Sequence, residues 1–585
     1  MINLVKSNSQ FTYFNNVVPG RFVLEATVVL STILAIQFTS GAYHRDFASH
    51  PDEAAHFVTG VMVHDYLTTA FGRSPMKFAE DYYLQYPKVA LGHWPPGFYG
   101  VQGLWYLVAG VSKTSATVLI GLIVAATSWF LYRRVSKLSG IPIALVTIGV
   151  FLGQGLVRSH TFLIVSDMAV SLFSLLAVFS FSDFLNSQRG RHAALFVLWA
   201  SIAILTKPVG LALVPFVAIF IVVAGRISIL GNWRFWTAVA TVTVLCAPWY
   251  IWTLTQGIGL HGHADVGHMV KASLQSGRQL RASDSWPLVT SWWVPVVSLP
   301  ACILAIPRRH QTSAVDTENR IDICASIAWC GAMFLFLEAA PIYPSPRYFL
   351  PALAGLMILY SGGLVLLLRW MPGPKWLVWT LIGVLGIFSV VTTPGSMPVT
   401  FTGYSVAANS VPVKPGQVML VSSNSPGEGA FVVERLLLDR RRSEFILRAS
   451  KVLAKDGWSG GGYQTRFSTG DQVREFLNSV PVHYVVISDL DWVWNFRRGV
   501  TQQYSPYSQH HHRLLKAVLD DSMLQFPLVG TFSVESPDRV NNDVVRIYEN
   551  RGAQHRSPVG FELDMGTSLG RTLRLHQTNG AHQKR

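Results

Sequence analysis

The chain has 585 residues, half of them hydrophobic and only 14% charged, with a formal net charge of +15. Apolar runs recur from Phe22 to Val391, each long enough to cross a hydrocarbon core of ~30 Å, which excludes a soluble globular protein and leaves helices as the spanning element. The positive charge does not indicate nucleic acid, because much of it is Arg and Lys between apolar runs, where positive-inside topology places it.

Residues 1–21 are acid-free and carry Lys6 and Arg21, so they are expected to be cytoplasmic. The first span, Phe22–Tyr43, is too long for the apolar region of a cleavable signal and lacks a small-x-small cleavage site. It reads as a retained anchor that delivers the first loop, residues 44–114, to the outer face. That loop opens on Ser49-His50-Pro51-Asp52-Glu53-Ala54-Ala55-His56, two adjacent carboxylates in an acid-poor chain. Phe57–Ala70 has helical apolar spacing and reads as an interfacial helix. Tyr82-Tyr83-Leu84-Gln85-Tyr86-Pro87-Lys88 and His93-Trp94-Pro95-Pro96-Gly97-Phe98-Tyr99 follow.

Residues 98–111 form an apolar stretch shorter than the ~20 residues a span needs. If they lie flat or re-enter, the basic clusters at Arg133/Arg134/Lys137, Arg189/Arg191, Arg226/Arg234, Arg308/Arg309/Arg320 and Arg369/Lys375 all fall inside. If they span, all fall outside, against the positive-inside rule. The expected spans are therefore Phe22–Tyr43, Ser115–Tyr132, Ile141–Val157, Asp167–Leu185, Ala193–Leu205, Val209–Ala224, Phe235–Leu254, Leu288–Ile306, Cys324–Ala340, Tyr348–Leu368 and Leu377–Val391, eleven in all.

An odd number of spans puts residues 393–550 outside. There Val418–Ser422, Glu444–Leu447, Tyr484–Ser488, Leu528–Phe532 and Val544–Tyr548 read as strands, with helices over Gly429–Leu438, Asp471–Ser479 and His511–Asp521. This alternation predicts a small α/β domain. It holds no cysteine, so no disulfide framework is available to it. Residues 551–585, poor in apolar groups, are expected to be a disordered tail. The four cysteines have no metal-site spacing.

The topology gathers ionisable groups from separate loops at one membrane face: Asp52, Glu53, His56, Lys88 and His93; Arg158 and Asp167; Lys207; and Arg347 in Pro346-Arg347-Tyr348. Charges at span ends are costly unless paired or solvated, and so are functional candidates. Cations there suit a lipid-linked phosphate leaving group, and a carboxylate suits a general base for an acceptor hydroxyl. Asp52 fits the base by position; Arg347, Lys207 and Arg158 fit the phosphate. Each also has a plainer reading. Asp52-Glu53 resembles a helix first turn, Asp167 after Ser166 a helix start, and Lys207 a snorkelling interface residue. Glu53 is a first-turn partner or a metal ligand. His261, His263, Asp265 and His268 have loose ligand-like spacing among glycines, and His510-His511-His512 reads as a solvated run.

These motifs resemble a known family. Asp52-Glu53-Ala54 after the first span, His93-Trp94-Pro95-Pro96-Gly97-Phe98-Tyr99, Ser166-Asp167, Leu205-Thr206-Lys207-Pro208, Ala247-Pro248-Trp249-Tyr250 and Pro346-Arg347-Tyr348-Phe349-Leu350-Pro351 occur in the order found in GT-C fold, polyprenyl-phosphate-sugar-dependent membrane glycosyltransferases. That group includes the protein O-mannosyltransferases, the lipid A aminoarabinose transferase and the rhizobial lipopolysaccharide core galacturonosyltransferases. The resemblance covers about the first 390 residues and implies a polytopic α-helical membrane protein of GT-C fold. The expected organisation is a cytoplasmic N-terminus (1–21), a transmembrane glycosyltransferase domain (22–392), a periplasmic or extracellular α/β domain (393–550) and the tail (551–585).

The resemblance also implies an inverting glycosyltransferase of the inner (plasma) membrane with a polyprenyl-phosphate-linked sugar as donor. The acceptor is a lipid, a glycan or a protein, and membrane lipids surround the site. Asp52, Glu53 and Asp167 take the catalytic positions, and Arg347, Lys207, His93 and Arg158 the donor phosphate. Family members carry Lys or His before the Pro-Pro pair; here Trp94 intervenes and displaces His93 by one. Some members need a divalent cation and others do not, which leaves Asp52 and Glu53 as candidate ligands. The alternatives are a transporter or flippase of lipid-linked intermediates, which predicts charges buried in mid-span and inverted repeats, and a non-catalytic membrane scaffold.

Overall fold

A computed structural model of the chain describes residues 19–90, 92–255, 285–305, 314–339, 345–371, 373–393, 400–455, 463–496, 500–536, 543–553, 562–568 and 571–576. The His261, His263, Asp265 and His268 group lies outside these residues. Helices occupy the first part: α1 (Pro19–Thr39), α2 (Glu53–Thr69), α3 (Pro75–Gln85), α4 (Gly97–Ala109), α5 (Lys113–Ser139), α6 (Ile141–Gly153), α7 (Gly155–Ser159), α8 (Asp167–Ser187), α9 (Gly190–Thr206), α10 (Leu213–Val223), α11 (Trp233–Thr255), α12 (Trp293–Ser298), α13 (Ala314–Ala339), α14 (Leu350–Trp370) and α15 (Lys375–Val391).

Among the described residues, five stretches are long and apolar enough to cross a membrane: Lys113–Ser139, Asp167–Ser187, Trp233–Thr255, Asn319–Ala339 and Pro346–Trp370. Shorter apolar helices cover Val23–Thr39, Ile141–Gly153, Gly190–Thr206, Pro208–Val223, Trp293–Ala305 and Trp376–Val391. Together they fall on every expected span, and the chain is a multi-pass membrane protein. α8 is apolar and buried nearly all round, the mark of a central helix, whereas α11 leaves most of its surface open.

Ion pairs separate the two ends of this bundle. Lys113, at the start of α5, lies 2.7 Å from Asp46 in the first loop. Arg134, near the other end of α5, lies 2.8 Å from Asp183 on α8 and 2.5 Å from Asp322 on α13. α4 connects the first loop to Lys113, so both its ends lie at the Asp46 end. Its 13 residues begin and end on the same side of the bundle. α4 buries Phe98, Tyr99, Gln102, Gly103 and Tyr106 and exposes Leu104, Leu107 and Val108, the pattern of an interfacial helix.

After residue 400 the chain builds a five-stranded sheet from β1 (Val418–Ser422), β2 (Phe445–Arg448), β5 (Val482–Ser488), β8 (Leu528–Ser533) and β9 (Val544–Glu549), in the order β2-β1-β5-β9-β8. Two antiparallel pairs, β3 (Ala454–Lys455) with β4 (Gln464–Thr465) and β6 (Trp492–Phe496) with β7 (Val500–Tyr504), stand apart from it. β2, β1 and β5 are parallel; β9 and β8 close one side antiparallel. β1 is buried along its whole length, as a parallel strand covered on both faces must be. Besides the short α16 (Tyr404–Asn409) and α18 (Ala449–Val452), helices α17 (Ser425–Leu438), α19 (Gly470–Ser479) and α20 (His510–Asp521) follow the expected positions. α19 is opened by a capping box between Thr469 and Gln472, which satisfies backbone donors at both positions.

Two expectations are corrected. His511 and His512 are buried, not solvated: they begin the apolar stripe of α20 with Leu515, Val518 and Leu519, a 3.6-residue period that the polar run disguised. Their Nδ1 atoms lie 2.9 Å from Tyr463 Oη and 2.8 Å from Ser422 Oγ. Within the tail read as disordered, Glu562–Ser568 and Arg571–His576 pair as an antiparallel hairpin. The alternation Leu563/Met565 and Leu573/Leu575 is a strand pattern that overall composition outweighed.

The α/β region is seated on the first loop. Asp46 forms a β-bridge with Phe401. Tyr404 N–H donates to Asp46 Oδ2 at 2.8 Å, Tyr86 Oη to Asp439 Oδ2 at 2.6 Å, Arg442 Nε to Asp65 Oδ2 at 2.8 Å and Lys88 Nζ to the Ser425 carbonyl at 3.0 Å.

Candidate active site

Asp52 stands at the N-cap position of α2, yet its side chain makes no cap hydrogen bond. The carboxylate turns instead to Arg347, whose Nη2 donates to Asp52 Oδ2 at 2.9 Å. Arg347 sits on the 3-10 turn Pro346–Phe349 that leads into α14, so this pair joins the first loop to the far end of the bundle sequence. His50 completes the contact. Its Nδ1 accepts from Asp52 N–H at 3.1 Å and its Nε2 faces Arg347 Nη1 at 3.2 Å. Both neighbours are donors, and a neutral imidazole has one acceptor nitrogen, so only one of these two is a hydrogen bond.

A second pair lies beside the first. Lys207, between α9 and the 3-10 turn Pro208–Ala212, donates from Nζ to Asp167 Oδ1 at 2.6 Å. Asp167 Oδ2 is buried with no hydrogen-bond partner among the described residues, as are Ser166 Oγ and Thr206 Oγ1. Ser166 occupies the N-cap position of α8 without capping it. The two pairs share one ring: Lys207 Nζ is 4.9 Å and Arg347 Cζ 5.5 Å from the centroid of Tyr348, within the range of cation–π attraction.

The electrostatics follow from burial and these partners. Burial pushes the Asp52 carboxyl up, but the charge of Arg347 and its hydrogen bond reverse this and hold Asp52 below the usual carboxylate range. Burial, reinforced by Arg347, takes His50 down to about 3, so the ring is neutral. His56 is likewise lowered to about 3 by burial, against the pull of Asp52. Its Nδ1 lies 2.9 Å from Tyr99 Oη, and its ring stacks on Trp94 at 4.2 Å. Burial lowers Lys207 to about 8, with Asp167 opposing.

The structure brings Asp52, Asp167, Lys207 and Arg347 together and directs Glu53 elsewhere. Arg45 grips Glu53 with two donors, Nη1 to Oε2 at 2.9 Å and Nη2 to Oε1 at 2.6 Å, and Ile164 N–H donates to Oε1 at 3.1 Å. Arg45 also donates to the Phe162 carbonyl. Glu53 and Arg45 thus tie the first loop to the segment that leads into Asp167. Arg158, on α7, enters neither pair and has a buried Nε without a partner among the described residues. His93 is half-buried ahead of α4 and is likewise in neither pair. The residues do not form a metal cradle. No group of three or more His, Cys, Asp or Glu converges among the described residues, and the partner of the Asp52 carboxylate is a cation, not a second ligand.

His50, Tyr99 and Tyr348 were not singled out as site residues from sequence, and His56 was gathered with the outer-face groups without a role. The signal was available: His50 and His56 flank Asp52 at two and four residues, and Tyr348 follows Arg347 directly.

A family model described as dolichyl-phosphate-mannose-protein mannosyltransferase matches residues 93–252. Among curated proteins no sequence matches the chain. Among solved structures, the fold is similar to ArnT from Cupriavidus metallidurans bound to undecaprenyl phosphate, at 12% identity and a TM-score of 0.50, covering 91% of this chain and 98% of that one. The apo state of the same protein gives the same values. An Archaeoglobus fulgidus oligosaccharyltransferase is less similar, at 10% identity and a TM-score of 0.48 over 80% of this chain and 67% of that one. The chain therefore has the GT-C fold, and the resemblance to polyprenyl-phosphate-sugar-dependent membrane glycosyltransferases carried by its motifs is borne out.

Proposed function

We propose that the protein transfers a sugar from a polyprenyl-phosphate donor to a hydroxyl of a lipid, glycan or protein acceptor at the outer face of the cell membrane, with inversion at the anomeric carbon. One observation supports this reading above the others: four chain segments far apart in sequence bring two carboxylates and two cations around Tyr348. A flippase calls for charges in mid-span, and a scaffold calls for no such cluster.

In this reading Asp52 takes the proton of the acceptor hydroxyl as its oxygen bonds to the anomeric carbon. The bond from that carbon to the phosphate oxygen breaks, and the polyprenyl phosphate leaves with the electron pair. Arg347 and Lys207 meet the charge developing on the leaving phosphate. A guanidinium has five N–H donors and an ammonium three, so each retains donors beyond those its carboxylate uses. Donor binding also tunes the base. A phosphate beside Arg347 offsets the positive charge that holds Asp52 low, which raises the carboxylate's basicity when it is needed. Asp167 orients Lys207. His93 and Arg158 extend the phosphate-binding face only if the donor reaches past the two ion pairs.

The test is lipid-linked sugar profiling. A strain lacking the protein should accumulate a polyprenyl-phosphate sugar and lose a modified acceptor, and the wild-type gene should reverse both. An unchanged profile in that strain would sink the proposal.

A further inference from the structure

The α/β region and the first loop meet at one point without clearance. Helix α17 lies across the first turn of α2. A methyl group added at Gly429 would stand 2.7 Å from Ala54 Cβ, 3.0 Å from Lys88 Cε and 3.3 Å from Lys88 Nζ. Ordinary contact begins at 3.4 Å, so Ala54 would have to retreat by about 0.7 Å. Gly429 lies inside a helix, where glycine is the poorest residue after proline, and its φ is not among the positive values. Backbone conformation does not call for glycine here; the close approach does.

What is pressed at this point is the turn that carries the proposed base. Ala54 is two residues beyond Asp52 and belongs to the same helical turn as Glu53. Glu53 is held from the other side by Arg45 and Ile164. Lys88, the second neighbour of Gly429, is clamped to Ser425 by its carbonyl at 3.0 Å and its Oγ at 3.1 Å, one turn earlier on α17. The first turn of α2 therefore sits between a lock on one side and a bare helix surface on the other.

We infer that Gly429 is a positioning residue for the transfer: it lets α17 hold the first turn of α2 at the depth where the Asp52 carboxylate meets Arg347. The C-terminal region thereby sets the geometry of a site to which it contributes none of the four charges. The inference rests on the role of Asp52 proposed above.

The experiment compares Gly429→Ala, Ala54→Gly and the double variant of the full-length protein in nanodiscs, with two readouts. The first is hydrogen exchange of residues 46–58 without donor. It should quicken in Gly429→Ala and return to wild type in the double variant, because removing the Ala54 methyl reopens the space. The second is the rate of transfer from the polyprenyl-phosphate-sugar fraction that the deletion strain accumulates. A displacement approaching 1 Å at a reacting group costs about 100-fold, so Gly429→Ala should lose about that factor and the double variant should regain most of it. Wild-type exchange and rate in Gly429→Ala, or a double variant as impaired as the single, would overturn the inference. If Gly429→Ala does not fold, recovery of folding by Ala54→Gly supports the contact and its absence overturns it. If the wild type itself transfers nothing, the proposed function falls, and the exchange readout still decides whether α17 seats the loop.

Discussion

Asp52 and Glu53 are neighbours that the structure sends in opposite directions, and Glu53→Gln is the sharpest way to separate them. The Arg45–Glu53 side chains are 1% and 0% exposed and joined by two hydrogen bonds of 2.6 and 2.9 Å. The substitution removes the negative charge and turns one acceptor oxygen into a donor facing other donors. Neutralising one partner of a buried pair costs about 3–5 kcal/mol. Arg45 keeps the Phe162 carbonyl and Ser49 Oγ, which places the expected loss at the lower end, about 3 kcal/mol. On the scale of a 150–250-residue unit this corresponds to a fall in Tm of about 6–12 °C. Tryptophan fluorescence of detergent-solubilised protein on heating would read it. Replacing both partners by apolar residues, Arg45→Met with Glu53→Leu, should recover most of the loss, because a buried pair contributes little over a well-packed apolar one. A Glu53→Gln protein that melts with the wild type but transfers no sugar would refute the reasoning and return Glu53 to the chemistry.

Asp52→Asn should show the reverse signature. The protein folds, and transfer falls by about 10²–10⁴-fold, the contribution of a general base; full activity in a folded variant would remove Asp52 from that role. Lys207, lowered to about 8, binds phosphate only while protonated. Transfer should therefore decline as pH rises through about 8, and Lys207→Arg should carry the plateau to higher pH; an unchanged alkaline limb would argue against it. His511 and His512 are lowered by burial to about 4 against an ordinary value of about 6.5. The unfolded chain then binds more protons, so the α/β region should lose stability as pH falls from about 6.5 towards 4, and His512→Asn should blunt the loss in a pH series of thermal melts.

The apolar helices were legible because apolarity over a run of residues marks them, and the parity of Arg and Lys clusters gave the expectation that α4 returns. Strands and helices after residue 400 were legible from alternation and turn residues. What sequence could not supply was pairing. Nothing in Asp52-Glu53 says that one carboxylate meets Arg347, 295 residues away, while the next meets Arg45, eight residues back. Their plain reading as a helix first turn was correct for the backbone and silent about both side chains. His511 and His512 were misjudged for a related reason. A polar run marks solvent only when its helix face is exposed, and α20 turns that face inward, with His511 on Tyr463 and His512 on Ser422.

The bridge between Asp46 and Phe401, with Tyr404, Asp439, Arg442 and Ser425 closing on the same loop, has a consequence for how the protein is made. The first loop leaves the ribosome more than 300 residues before its partners do. Domains fold in order of emergence where their contacts are local, but these contacts join distant parts of the chain. The loop therefore waits, with Arg45 on Glu53 but not yet covered by α17, through the insertion of every later helix. The cover over the first turn of α2 is complete only once α17 and the residues up to Arg442 have been synthesised, so the loop acquires its final contacts after every later membrane helix has been made.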